Sequence, residues 1–180
     1  MRSPQLSDTE RHARHLDGEV WRIQSLYGDR PEPPLREERA ALLARRLPEW
    51  AVAAGNTAGW VWTGLGKPEP WALICATRPA LSPIARTQWH PRAKPLERLE
   101  LTTIRGLRLL ARQNCVADLL RHRGEDDVAA AQLYLLTTED ELAQMVSRLR
   151  EDMNPPARDR ARRRVAQVRQ WWRDHPVVTR

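Results

Sequence analysis

The chain has 180 residues, of which 41% are hydrophobic and 29% charged, with a formal net charge of +7. That is the balance of a globular protein of one domain, or of one domain with a small appendage, able to bury a core of its own. No window approaches the about eighteen apolar residues that a membrane span needs, and Met1-Arg2-Ser3-Pro4-Gln5-Leu6-Ser7 lacks the apolar stretch of a secretion signal, which predicts a cytoplasmic protein.

Residues 7 to 16 open on Ser7-Asp8-Thr9-Glu10, the S-x-x-E pattern that satisfies orphan amides at a helix start, and Asp17-Gly18 stops that helix. Glu19 to Ile23 and Leu26-Tyr27 are apolar and aromatic β-formers, which predict a hairpin closed near Gln24-Ser25. Pro31, Pro33 and Pro34 bar regular helix until Leu35 and mark the best boundary. Ala40, Leu43, Ala44 and Leu47 fall on one face of a helix over 36–47 that Pro48 ends. A second helix is expected from an N-cap at Asn56 through Ala58, Val61, Trp62 and Leu65, stopped by Gly66. Trp71 to Ala76 reads as a buried strand, with weaker strands at Ile84–Trp89 and Leu96–Leu101.

The remaining eighty or so residues read as helical. Ile104 to Ala111 starts the run, and Val116, Leu119 and Leu120 continue it. Glu125 to Leu136 follows. Thr138-Glu139-Asp140-Glu141 is a second capping box, before a helix with Leu142, Met145, Val146 and Leu149 on its core face. Asn154-Pro155 supplies a cap and a first-turn proline for the final helix, where Ala161, Val165, Val168 and Trp172 form one stripe and Arg162, Arg169 and Arg173 share another face. The fold class is therefore α+β and mainly helical: an N-terminal helix plus β-hairpin, a small sheet in the middle and a C-terminal helical bundle.

Several motifs, in order, resemble those of the AbiEi family of antitoxins and transcriptional regulators from type IV toxin–antitoxin systems. They are Gly18-Glu19-Val20-Trp21-Arg22-Ile23 with Tyr27, Thr57 to Leu65, Thr102-Thr103-Ile104-Arg105 with Leu110-Ala111-Arg112, Thr138 to Leu142, and the arginine-rich run from Arg158 to Arg173. Leu109 stands where the family carries an aspartate. The resemblance implies a winged helix shortened to a recognition helix and wing over residues 1 to 30, followed by an AbiEi-like body over 31 to 180. It also implies DNA as partner and a cognate toxin gene.

Lys67 and Lys94 are the only lysines, so arginine carries the remaining positive charge. The raised Ala and Pro content explains that preference as codon bias, but the positive sum still favours a polyanionic or acidic partner. Arg11, His12, Arg14 and Arg22 on the helix plus wing, and Arg158, Arg162, Arg163, Arg169 and Arg173 on the last helix, are the candidate DNA contacts, set against a solvated outer face in each case. Arg105 at a helix start implies a buried carboxylate partner or a surface role. Trp60, Trp62 and Trp71 read as core, while one of Trp171 and Trp172 must face outward or into a partner. Cys75 and Cys115 read as small buried hydrophobes. His12 and His15 lack further ligands nearby, Glu125-Asp126-Asp127 reads as a cap, and no nucleophile, phosphate-loop or zinc-protease motif appears. The expectation is a binding protein with no cofactor, no metal and no membrane contact; the alternative is an interaction module for an acidic protein.

Overall fold

The computed structural model describes residues 21–23, 26–28, 35–78 and 80–174. The expected helix at residues 7 to 16 and the proline connector at 31 to 34 lie outside them. The chain divides into two compact units, Met1–Leu35 and Arg36–Arg180. In the first, β1 (Trp21–Ile23) and β2 (Leu26–Gly28) pair antiparallel, with Ile23 opposite Leu26 and Trp21 opposite Gly28. This is the hairpin its β-forming residues predict.

The second unit is mixed and mainly helical, a five-stranded sheet with helices before, within and after it. Helix α1 (Arg36–Ala44) buries Arg39, Ala40 and Leu43. Strand β3 (Val52–Ala53) leads into α2 (Gly55–Thr63), which lies at the centre of the core with Trp60 1% exposed. Strand β4 (Leu73–Ala76), helix α3 (Pro83–Trp89) and strand β5 (Arg92–Lys94) follow. A 3-10 turn at Leu96–Arg98 then precedes the hairpin of β6 (Leu101–Ile104) and β7 (Leu107–Leu110). The sheet order is β5-β4-β3-β7-β6, parallel between β5 and β4 and between β3 and β7, antiparallel elsewhere. Four helices complete the unit: α4 (Arg112–Arg121), α5 (Asp126–Leu136), α6 (Glu139–Leu149) and α7 (Pro155–Asp174).

The structure corrects several sequence expectations. Ile104 to Ala111 is β-hairpin rather than helix: Arg105 and Gly106 take φ of 48° and 82°, the left-handed pair of a tight two-residue hairpin turn. Leu107, Leu109 and Leu110 are good helix formers, but burial between β3 and β6 overrides that preference. Arg105 is exposed at the turn, so of its two readings the surface one stands and the buried carboxylate falls away. Residues 84 to 89 are helical, because the Ser82 hydroxyl accepts from the Ala85 amide at 3.2 Å and Pro83 sits at the first helical position. The expected strand at 96 to 101 is a 3-10 turn and only the first residue of β6. Helix α2 begins after Ala54, not Asn56, and stops two residues early at Gly64, which takes a φ of 80° while its amide donates to the Trp60 carbonyl.

Cys75 and Cys115 are free and buried, and burial raises the Cys115 thiol well above its ordinary range. Trp60 is core, whereas Trp62 and Trp71 are half-buried. Trp171 and Trp172 both pack on Tyr134, each with ring centroids 6.0 Å away, so neither of the pair points freely outward. No helix among the described residues is long and apolar enough to cross a membrane.

Candidate functional site

Helix α7 starts as its sequence predicts, with the Asn154 side-chain oxygen accepting from the Ala157 amide at 3.0 Å. Ala157, Ala161, Arg164, Val165 and Val168 make its buried stripe, at the spacing of one helix face. That stripe packs on α5 and α4. Helix α6 starts on the Thr138–Glu141 capping box, both reciprocal bonds formed, and buries Leu142 and Leu149; Met145 and Val146 are only half-buried.

Between α6 and α7 a groove of about 500 Å³ opens. Val146, Met153, Ala161 and Val165 give it an apolar floor. Arg150, Arg158, Arg162 and Arg169 line it, and no carboxylate does. Arg158 donates to the Arg150 carbonyl at 3.1 Å, which holds the two side by side. Arg162 has one loose, solvent-exposed ion pair with Asp159 at 3.7 Å. Arg150 and Arg169 have no ion-pair partner among the described residues.

The predicted contacts therefore separate. Arg158, Arg162 and Arg169 come together in the groove, and Arg173 continues the exposed side of α7 beyond it. Arg163 turns away to pair with Asp126 at 3.0 Å. Arg22 falls in β1 of the hairpin unit, and Arg11, His12 and Arg14 lie outside the described residues. Arg150 was missed, since it follows α6 and joins the others only through the fold. Arg160 and Arg164, from the same run, serve the interior: Arg160 donates to the Arg121 carbonyl at 2.9 Å and Arg164 is 1% exposed.

A second polar cluster is committed to structure. Arg92 grips the Asp118 carboxylate with bonds of 2.8 and 2.6 Å, and the Gly55 amide donates to the same carboxylate at 2.8 Å, fixing the start of α2. Burial opposes the Asp118 charge, but the Arg92 bonds and charge outweigh it and hold the carboxyl below its ordinary range. Burial first, and then the Arg92 charge, push His122 down to about 4 against the attraction of Asp118.

Among the described residues no three His, Cys, Asp or Glu side chains are grouped to hold a metal ion. What the α6–α7 groove offers is recognition: guanidinium forks that bind phosphate or carboxylate, above a surface that covers apolar groups. No family model, curated protein or solved structure gives a significant match to the chain.

Proposed function

We propose that this protein is a non-catalytic, cytoplasmic DNA-binding regulator of the antitoxin kind, and that α7 carries the contact. The observation that supports this most is the convergence of Arg150, Arg158, Arg162 and Arg169 on one groove whose lining holds no carboxylate. Arg173 extends the same helix as a further exposed cation. Such an array neutralises successive phosphates and anchors the protein without reading bases. The ordered motifs that resemble AbiEi-type proteins supply the antitoxin part of the reading.

The test is a mobility shift on the protein's own upstream DNA across a salt series. Five phosphate contacts give a slope of log K against log salt of about −4.5. Arg162→Glu with Arg169→Glu and Arg173→Glu abolishes the shift while circular dichroism stays unchanged, because all three side chains are exposed. No shift even at low salt overturns the DNA reading.

The apolar floor favours a second reading, an acidic amphipathic helix of a protein partner laid into the groove. Binding of an acidic amphipathic peptide without any DNA shift supports it. A neighbouring gene for a nucleotidyltransferase-like toxin supports the first.

A further inference from the structure

A separate recess of about 360 Å³ lies between α4, α6 and the segment that runs from β5 to β6. Four cations line it from four different elements: Lys94 of β5, Arg98 of the 3-10 turn, Arg121 at the end of α4 and Arg148 in the last turn of α6. None of the four has an ion-pair partner among the described residues. Two carboxylates share the lining. Asp118 is already neutralised by the bidentate Arg92 pair. Glu100 is an exposed residue, tied to the recess through its backbone carbonyl, which accepts from Asn114 at 3.2 Å.

Three features distinguish this recess from an ordinary solvated basic face. Its volume falls within the range of small-ligand sites. Its floor is apolar, with Ile74, Leu99, Leu110, Met145 and Leu149 under the cations. The Arg121 Nε is buried and has no hydrogen-bond partner among the described residues, as is also true of Arg92 Nε and Arg160 Nε. An anion in the recess supplies the counter-charge that these four cations lack among the described residues.

We propose that this recess binds a small phosphate-bearing ligand. Lys94, Arg98, Arg121 and Arg148 hold the phosphates, and the less polar part rests on Leu99, Leu110, Met145 and Leu149. The site is independent of the α6–α7 groove, which is lined by other arginines.

Calorimetric titration of the full chain with ATP at low salt tests this, with inorganic pyrophosphate as competitor. The expected result is single-site ATP binding that pyrophosphate displaces. Arg98→Ala and Arg148→Ala, both at exposed residues, each weaken it about tenfold, the loss of one charge-assisted contact. Arg162→Glu with Arg169→Glu leaves it unchanged. No ATP binding overturns the proposal, as does ATP binding that pyrophosphate cannot displace. Affinity unchanged in the Arg98 and Arg148 variants, or lost in the Arg162 and Arg169 variant, also overturns it, the latter by moving the anion to the groove.

Discussion

Replacing Arg164 by alanine tests whether one arginine of α7 belongs to the interior while its neighbours face the solvent. Its Nε donates to Asp126 at 2.8 Å, its Nη2 to the Gly124 carbonyl at 3.3 Å, and its Nη1 to the Leu119 carbonyl. Asp126 gains as well: burial opposes its charge, yet hydrogen bonds from Arg164 and then Arg163 hold the carboxyl below its ordinary range. Breaking a buried ion pair costs about 3–5 kcal/mol. Asp126 keeps Arg163 and is 31% exposed, so water and the second arginine recover part of the loss, which places Arg164→Ala near ~3 kcal/mol. With a urea slope of about 2 kcal/mol per M, the midpoint falls by about 1.5 M. Arg164→Met keeps the aliphatic stem and should lose about 2 kcal/mol, for the carbonyls left without a donor. Urea unfolding followed by tryptophan fluorescence reads both, with Arg162→Ala as the exposed control and Asp126→Ala to close a double-mutant cycle. An Arg164→Ala midpoint no lower than the Arg162→Ala one, or strict additivity with Asp126→Ala, refutes the assignment.

Two further predictions test packing and protonation. Gly59→Ala places a methyl 2.0 Å from the Gln132 side-chain oxygen, and Gln132 is pinned by bonds to the Asn56 and Leu65 carbonyls at 3.2 and 2.9 Å. The substitution should therefore destabilise by about 2 kcal/mol despite alanine's better helix propensity, and an unchanged or raised Tm would contradict the close approach of α2 and α5. His122 has an ordinary value of 6.5 and is pushed to about 4 in the fold, so the unfolded chain takes up its proton first. Stability is then level above pH 6.5 and falls as pH drops from there towards 4, by about 2 kcal/mol once partial solvent screening is allowed for. His122→Gln should flatten that part of the curve in urea titrations at stepped pH; an unchanged slope would assign the acid sensitivity to other groups.

Elements with a local chemical signature were legible in the sequence. The Thr138–Glu141 capping box, the Asn154 cap and the stripe of Ala161, Val165 and Val168 need nothing beyond neighbours within one or two turns. The β6–β7 hairpin was hidden for the opposite reason. Leu107-Arg108-Leu109-Leu110 is helix-like by propensity, and its strand state comes from burial beside β3, about fifty residues earlier in the chain. Arg105-Gly106 was the overlooked clue, since glycine readily supplies the positive φ that a two-residue hairpin turn requires. Helix α3 buries no residue, so apolar periodicity had nothing to mark, and only Ser82-Pro83 signalled it.

The arginines show where reading a site from sequence stops. Arg164 was within reach, because it lies three residues after Ala161 and four before Val168, on the face already assigned to the core. An arginine in an apolar stripe requires a buried acceptor, and Glu125-Asp126-Asp127 was the acidic cluster available to provide one. Arg163 then follows its neighbour to the same carboxylate and is drawn off the exposed array. Arg150 had no such signal; it enters the groove because the turn at Arg150, Glu151 and Asp152 sends the chain into α7 beside α6. Lys94, Arg98, Arg121 and Arg148 stand further still from local inference, separated along the chain and joined only where a parallel β5, the end of α4 and the end of α6 meet. Positive charge read from composition therefore marks the protein as one that meets anions. Which arginines remain free to meet them depends on which carboxylates the fold has already used.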